Sequence, residues 1–204
     1  MKRHKSSSFN LRFNSSIIAQ TQLNYRLTAL NLEYVNRWLP SFLSTHDESP
    51  LRPATRGFRL EHLTQAERTL AAQTPLALFD AAFDQWPQPR PVYHFAGEEP
   101  ASFGFVLNIG SMIWHAARTD PQWTGMSFGL SRPALVQWRC LPYDGLPMLA
   151  RLYCTKLKAR WWRGGEYWAT LMASAASAQP DRIKAFWRFS LQRQAAEIFE
   201  ESKL

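Results

Sequence analysis

The residues of this chain that could do chemistry are concentrated between positions 121 and 165. This segment holds seven basic residues and one acidic residue, Asp144, so it carries six units of the net formal charge of +8. The basic residues are Arg132, Arg139, Arg151, Lys156, Lys158, Arg160 and Arg163. Such a concentration of positive charge favours binding of a polyanion, because neutralising the phosphates of a nucleic acid releases their counterions. The segment therefore predicts nucleic acid as a partner, unless the charges serve only to keep the chain in solution.

The first part of this segment resembles a helix-turn-helix. Residues 122–141 read QWTGMSFGLSRPALVQWRCL. Gly125 is the small residue required where two helices cross closely, Gly129 permits a tight turn, and Ser131 is a good cap for the second helix. Three apolar residues are predicted to face the core: Leu130, Leu135 and Trp138. The alternative is two short helices joined by a glycine turn, with their polar side chains simply solvated.

In a helix-turn-helix the second helix lies in the major groove of DNA. The positions predicted to face the DNA are Ser131, Arg132, Val136, Gln137 and, near the backbone, Arg139. Arg132 matches the hydrogen-bonding edge of guanine, and Gln137 matches that of adenine. Four further basic residues are predicted to contact phosphates without reading sequence. They are Lys156, Lys158, Arg160 and Arg163.

Two adjacent tryptophans, Trp161 and Trp162, lie among these basic residues. If exposed, they would bind a partner protein or stack on unpaired bases. If buried, they would anchor the local structure to the core. We treat both as candidate partner-binding residues.

Residues 104–162 also resemble the family of the flagellar master regulator FlhD. In that family a helix that begins near an Asn is followed by a turn containing Phe, Gly and a hydrophobic residue, and then by a helix that ends in Leu. A further helix with a Leu-Ala pair and a closing Arg-aromatic segment follow. The matching residues are Asn108, Ala117, Met126, Phe128, Gly129, Leu130, Leu141, Leu149, Ala150, Leu157 and Arg160. The segment covers between a quarter and a third of the chain.

This resemblance implies a helical, bacterial transcription regulator that acts as an oligomer and can require a second subunit to bind DNA. Members of that family typically work with a zinc-containing partner. This chain has two cysteines, Cys140 and Cys154, and no cluster suited to such a site. Any zinc would therefore belong to the partner.

Other chemistry finds little support in the sequence. The five histidines are isolated from other metal ligands, so no metal and no cofactor is predicted. His115 lies on an apolar helix and is expected to be a core residue. Glu98 and Glu99 are adjacent on a proline-rich loop and need not face the same way. Cys154 has basic neighbours that could lower its pKa but no histidine nearby to act as a base. We therefore predict that the protein is not an enzyme.

The elements that must position these residues are predicted to be helices. Steps of three and four between apolar residues indicate a helix over residues 16–39, and a capping box at Thr64 begins another that ends near Gln73. Further helices are predicted over 103–118, 166–178 and 180–201, whereas 76–86 is expected to form a short helix or turn. Few segments of the sequence show the alternation of apolar and polar residues that is typical of a strand. The predicted fold class is mainly α, a multi-helix orthogonal bundle with a helix-turn-helix-like segment.

Four regions follow from these elements. Residues 1–14 are predicted to be a basic flexible tail, 15–86 an N-terminal helical region, 87–101 a proline-rich linker or arm, and 102–204 a C-terminal helical domain. No apolar segment approaches the twenty residues that a membrane span needs. With few cysteines and no secretion signal, we expect a cytoplasmic location and no membrane partner.

The sequence thus favours a DNA-binding transcription regulator, or a subunit of one, that binds double-stranded DNA through a helical surface rich in Lys and Arg. Its further partner is expected to be a second copy or a second regulator subunit. The alternative is a non-enzymatic protein-interaction module, such as a basic helical adaptor or a secretion accessory protein, whose tryptophans and positive charge face an acidic partner.

Overall fold

The computed structural model describes residues 7–41, 62–86, 99–161, 166–177 and 179–201. Within these ranges the protein is a mainly α, multi-helix bundle with one two-stranded sheet, which confirms the predicted fold class. The helices are α1 (Ser7–Glu33), α2 (Gln65–Ala72), α3 (Phe103–Thr119), α4 (Pro121–Phe128), α5 (Arg132–Cys140), α6 (Leu146–Tyr153), α7 (Glu166–Ala176) and α8 (Pro180–Glu201). None of the helices described has the length and apolar character required to cross a bilayer.

Helix α1 is longer than the sequence predicted. It begins at Ser7, so residues 7–14, predicted to be flexible tail, are helical. No glycine or proline interrupts residues 7–33, and nothing local therefore ends the helix. A π-helical turn, Tyr34–Trp38, continues it. Its buried side chains Leu23, Leu27, Leu30 and Tyr34 follow the predicted spacing of three and four.

A buried asparagine joins α1 to the segment that follows α2. The Nδ2 atom of Asn31 donates to the carbonyl oxygens of Ala72 (3.1 Å) and Leu76 (3.0 Å), and its Oδ1 atom accepts from the Leu78 N–H (2.9 Å). Asn31 is fully buried, so these bonds replace the water that its amide gives up on folding. No pattern in the neighbouring sequence predicts this role.

Local signals mark the starts of three further helices. The Thr64 hydroxyl accepts from the Glu67 N–H (3.3 Å) and the Glu67 carboxylate accepts from the Thr64 N–H (2.6 Å), which confirms the predicted capping box of α2. Helices α4 and α8 begin at Pro121 and Pro180, where a missing N–H costs no helical hydrogen bond.

Residues 76–86 depart from the predicted short helix or turn. Strand β1, Phe79–Asp80, pairs antiparallel with β2, Lys158–Ala159, and a 3-10 turn follows at Phe83–Gln85. Two-residue strands carry no alternation that a sequence could reveal. Their pairing places the start of the basic segment 158–161 against residues 78–80.

One hydrophobic core includes side chains from Leu23 to Phe186. Trp86 lies at its centre, stacked on Trp138 and Tyr153 with ring centroids 5.4 Å and 5.6 Å away. A Cβ added at Gly110 of α3 would lie 2.7 Å from the Trp86 ring, so a larger residue there would displace that ring. The predicted proline-rich linker falls almost entirely on 87–98, outside the described residues.

Candidate nucleic-acid interface

Helices α4 and α5 form the turn that the sequence predicted. The Asp120 carboxylate caps α4 by accepting from the Trp123 N–H (2.9 Å). Gly129 ends α4 with φ +65°, in the left-handed region that favours glycine. The Ser131 hydroxyl caps α5 by accepting from the Ala134 N–H (3.3 Å). The turn glycine and the capping serine are thus confirmed.

The two helices cross closely at Gly125. An added Cβ at this glycine would lie 3.0 Å from Cδ1 of Leu135 and 3.4 Å from the carbonyl oxygen of Leu130. Leu130 is buried, as predicted. Thr124 occupies a position where an aliphatic residue is usual, and it is buried with its hydroxyl donating to the Asp120 carbonyl (2.7 Å). The polar residue is therefore satisfied within the helix.

Trp138 decides which face of α5 points outward. It is fully buried, its Nε1 donates to the Phe83 carbonyl (3.0 Å), and its ring stacks on Trp86. Leu135 packs against the same core. The opposite face of α5 is exposed, and we call it the outer face; its residues are Arg132, Pro133, Val136, Gln137, Arg139 and Cys140. Three of the predicted DNA-binding residues are therefore exposed on α5. Arg132 and Arg139 lie on the same side of the helix, whereas Gln137 lies about 140° around the axis from Arg132.

Ser131 has a positioning role at the start of α5. Its hydroxyl is used by the helix cap, and its N–H donates to the carboxylate of Asp84 (2.8 Å). Asp84 is exposed and brings a negative charge to the positive end of the helix dipole. This end of α5 is consequently less favourable to a phosphate than the dipole alone would make it.

The two lysines predicted to contact phosphates differ in their surroundings. Lys156 is exposed, with its ammonium 5.1 Å from the centre of the Tyr153 ring. Lys158 lies on β2 and forms an ion pair with Asp80 at 3.3 Å. Because the Asp80 charge offsets that of Lys158, we expect Lys156 to contribute more to an anion-binding surface.

Arg160 occupies an internal position that sequence reasoning missed. Its guanidinium donates to the Ser127 carbonyl (3.0 Å) and to the Gln194 side chain, and it lies 4.4 Å from the centre of the Trp161 ring. Gln194 belongs to α8 and is buried. Arg160 therefore joins the end of α4 to α8, and a phosphate contact would have to displace these bonds. Because neither partner is near in sequence, no local signal could have revealed them.

Trp161 is half-buried. Its ring centre is 4.3 Å from that of Tyr167, and its Nε1 donates to the Glu197 carboxylate (3.3 Å). Its φ of +53° is unusual for a bulky residue, which shows that tertiary contacts determine this backbone. These contacts match the alternative in which the tryptophan anchors the local structure to the core. Trp162 and Arg163 lie outside the described residues.

The groups considered for catalysis differ in their surroundings. Cys154 is buried, and burial raises the pKa of its thiol, which disfavours the nucleophilic thiolate. Glu99 forms an ion pair with Arg151, and Glu98 lies outside the described residues. His115 is exposed, so its predicted core location is wrong; its position on α3 faces solvent. In the part of the chain that the structure describes, no group of three or more His, Cys, Asp or Glu side chains is arranged to hold a metal ion.

No protein-family model, curated protein or solved structure matches this chain.

Proposed function

We propose that this protein is a DNA-binding transcription regulator, or a subunit of one, that binds double-stranded DNA with the outer face of α5. The observation that carries this proposal is the α4–α5 turn, in which the burial of Trp138 leaves Arg132, Gln137 and Arg139 exposed to solvent. The resemblance of residues 104–162 to FlhD-like regulators supports the same class of function.

The dimensions of α5 suit a DNA groove. Its nine residues extend about 13 Å, and a major groove about 12 Å wide admits one helix. Arg132, at the first position, is placed to bond guanine O6 and N7, and Gln137, five residues on, to bond adenine N6 and N7. Arg139 and Lys156 contribute phosphate contacts. Arg160 is left out of this interface because its guanidinium serves the fold.

One helix of this length reads only a short stretch of DNA, so an oligomer would add affinity and specificity. Two copies related by a twofold axis would read half-sites about 34 Å apart. A second regulator subunit could supply the other half-site instead. The FlhD-like resemblance supports either arrangement.

The proposal is tested by enrichment from a pool of genomic DNA fragments at about 150 mM salt. A double variant, Arg132→Ala with Gln137→Ala, is expected to lose sequence selectivity, since each bidentate base contact contributes about 1–3 kcal/mol of discrimination. The matched control is Arg188→Ala with Gln192→Ala, which removes the same residue types from exposed positions of α8. Failure of the wild type to enrich any fragment would overturn DNA binding by this chain alone, and would leave a subunit that needs its partner or a protein-interaction module.

The alternative, a protein-interaction module, is favoured by a groove between α7 and α8. This groove, of about 650 Å³, is lined mainly by small and apolar side chains, and Phe189 lies in it with 59% of its surface exposed. Exposed aromatic side chains are common at protein interfaces. If the wild type binds no DNA, and Phe189→Ser lowers its oligomeric mass in sedimentation, the interaction module becomes the better explanation.

A further inference from the structure

A surface depression of about 310 Å³ lies at the C-terminal end of α5. Among the residues that the structure describes, four line it: Arg118, Val136, Arg139 and Cys140. Arg118 comes from the last turn of α3, whereas the other three belong to the outer face of α5. Two arginines from different helices therefore meet on one concave surface.

Arg118 is held in place by the fold. Its Nη1 donates to the carbonyl oxygens of Trp114 (2.9 Å) and Trp138 (3.0 Å), and its Nη2 donates to that of Leu141 (2.8 Å). The guanidinium also stacks over the Trp114 ring at 3.8 Å. Two of these bonds satisfy the Trp138 and Leu141 carbonyls at the end of α5, which have no partner within that helix. Because the side chain is already ordered, little rotamer entropy remains to be lost when a ligand binds.

Arg118 keeps donors for a ligand. A guanidinium has five N–H groups, and three of those on Arg118 are used, so the Nε–H and one Nη2–H have no acceptor among the described residues. Two parallel donors match the geometry of a phosphate or carboxylate. The exposed side chain of Arg118 gives a ligand access to them.

The electrostatics of the depression favour an anion. Neither Arg118 nor Arg139 forms an ion pair with any residue that the structure describes. Burial lowers the pKa of the Arg118 guanidinium, the neighbouring Cys140 raises it, and the positive charge of Arg139 lowers it. The two arginines thus repel each other, and an anion between them would relieve that repulsion. At the opposite end of α5, Asp84 supplies a negative charge.

We propose that Arg118 and Arg139 form a binding site for one phosphate group, and that in the complex with DNA this group is a backbone phosphate beside the bases read by α5. The identity of the ligand as DNA rests on the proposed function, whereas the phosphate site itself does not. Arg139 lies seven residues beyond Arg132, about 10 Å along the helix, so one phosphate contact fixes how far α5 advances along the groove.

Cys140 provides a native reporter of this site. It is exposed in the depression, while Cys154, the other cysteine of the chain, is 1% exposed. The rate at which iodoacetamide alkylates Cys140 is therefore expected to fall when a ligand occupies the depression. With genomic DNA fragments at about ten times their Kd, the site is free about a tenth of the time, so alkylation is expected to slow about tenfold.

A charge-removing variant supplies the second readout. Arg139→Gln is expected to make the plot of log K against log salt less steep by about one unit, the loss of one phosphate contact. The matched control, Arg188→Gln on α8, removes the same charge from an exposed position outside the depression. Both variants must retain the wild-type melting temperature. Inorganic phosphate and pyrophosphate are tested as protecting ligands beside DNA.

Four outcomes separate this inference from the proposed function. Protection by DNA together with a shallower slope only in Arg139→Gln supports both. DNA binding that leaves Cys140 reactive, with the two variants alike, overturns the phosphate site and retains the DNA regulator. Absence of DNA binding, with pyrophosphate or phosphate protecting the wild type but not Arg139→Gln, retains the site for a free phosphate and overturns DNA as its ligand. Protection by none of the three ligands overturns both.

Discussion

Replacing Gly129 by alanine is expected to be among the more damaging single changes in the turn between α4 and α5. At φ +65° an alanine costs about 1–2 kcal/mol. The new Cβ would also overlap Nη2 of Arg160 and lie 3.2 Å from Nε2 of Gln194. If Arg160 moves and loses one charge-assisted hydrogen bond, about 2 kcal/mol more is lost. The expected destabilisation of Gly129→Ala is therefore about 3–4 kcal/mol.

This effect is measured by thermal unfolding followed by circular dichroism. For a chain of this size, about 3–4 kcal/mol corresponds to a fall in Tm of roughly 10 °C. The matched control is Gly104→Ala in the first turn of α3, where an added Cβ meets no heavy atom within 4 Å. That variant is expected to gain up to about 1 kcal/mol, because alanine loses less backbone entropy than glycine in a helix.

A double-mutant cycle separates the two causes. In an Arg160→Met background the overlap with the guanidinium is gone, so Gly129→Ala is expected to cost only the left-handed backbone term. The cycle should report a coupling of about 2 kcal/mol between positions 129 and 160. An equal loss in both backgrounds, or a Gly129→Ala variant as stable as the wild type, would refute the packing described at this turn.

Two further predictions concern charge. Asp84→Asn keeps an acceptor for the Ser131 N–H but removes the negative charge at the start of α5. DNA affinity, measured by fluorescence anisotropy at low salt, is therefore expected to rise about three- to tenfold. An unchanged or lower affinity would indicate that this end of α5 lies away from DNA. Burial raises the pKa of Tyr167 from 10.0 to about 12, so the folded state keeps the phenol neutral. The contribution of the neutral phenol to the free energy of unfolding is complete below pH 10 and is lost between pH 10 and 12, at about 1.4 kcal/mol per pH unit. Urea unfolding at pH 9, 10 and 11 should show this loss as a decline in stability that is shallower in Tyr167→Phe. Identical profiles of the two proteins would contradict the burial of this group.

Features that depend on neighbouring residues were predictable. The capping box at Thr64 joins residues three apart, and the turn between α4 and α5 needs only a glycine that tolerates positive φ and a serine cap. Pro180 likewise marks a helix start wherever it lies in the fold. Each of these signals acts within one turn of chain, so the amino-acid order contains the whole cause.

Features that depend on distant partners were not predictable. Arg160 was counted among phosphate-binding residues because it belongs to a basic run, yet its carbonyl and amide partners are 33 and 34 residues away. The β1–β2 pairing joins Phe79 to Ala159 and Asp80 to Lys158, which are 80 and 78 positions apart. Asn31 is an ordinary polar residue in the sequence, and only the fold surrounds it with four main-chain partners. The spacing of residues in the sequence contains no information about contacts between residues so far apart in the chain.

By itself the sequence determined a mainly helical chain, the turn between α4 and α5, and a strong positive charge near them. Only the tertiary structure decided how that charge is used, because packing bonds the Arg160 side chain to Gln194, pairs Lys158 with Asp80, and brings Arg118 beside Arg139. Capping and helix propensity act between close neighbours in the chain. Burial and charge pairing act between neighbours in space, and only the folded chain decides which residues those are.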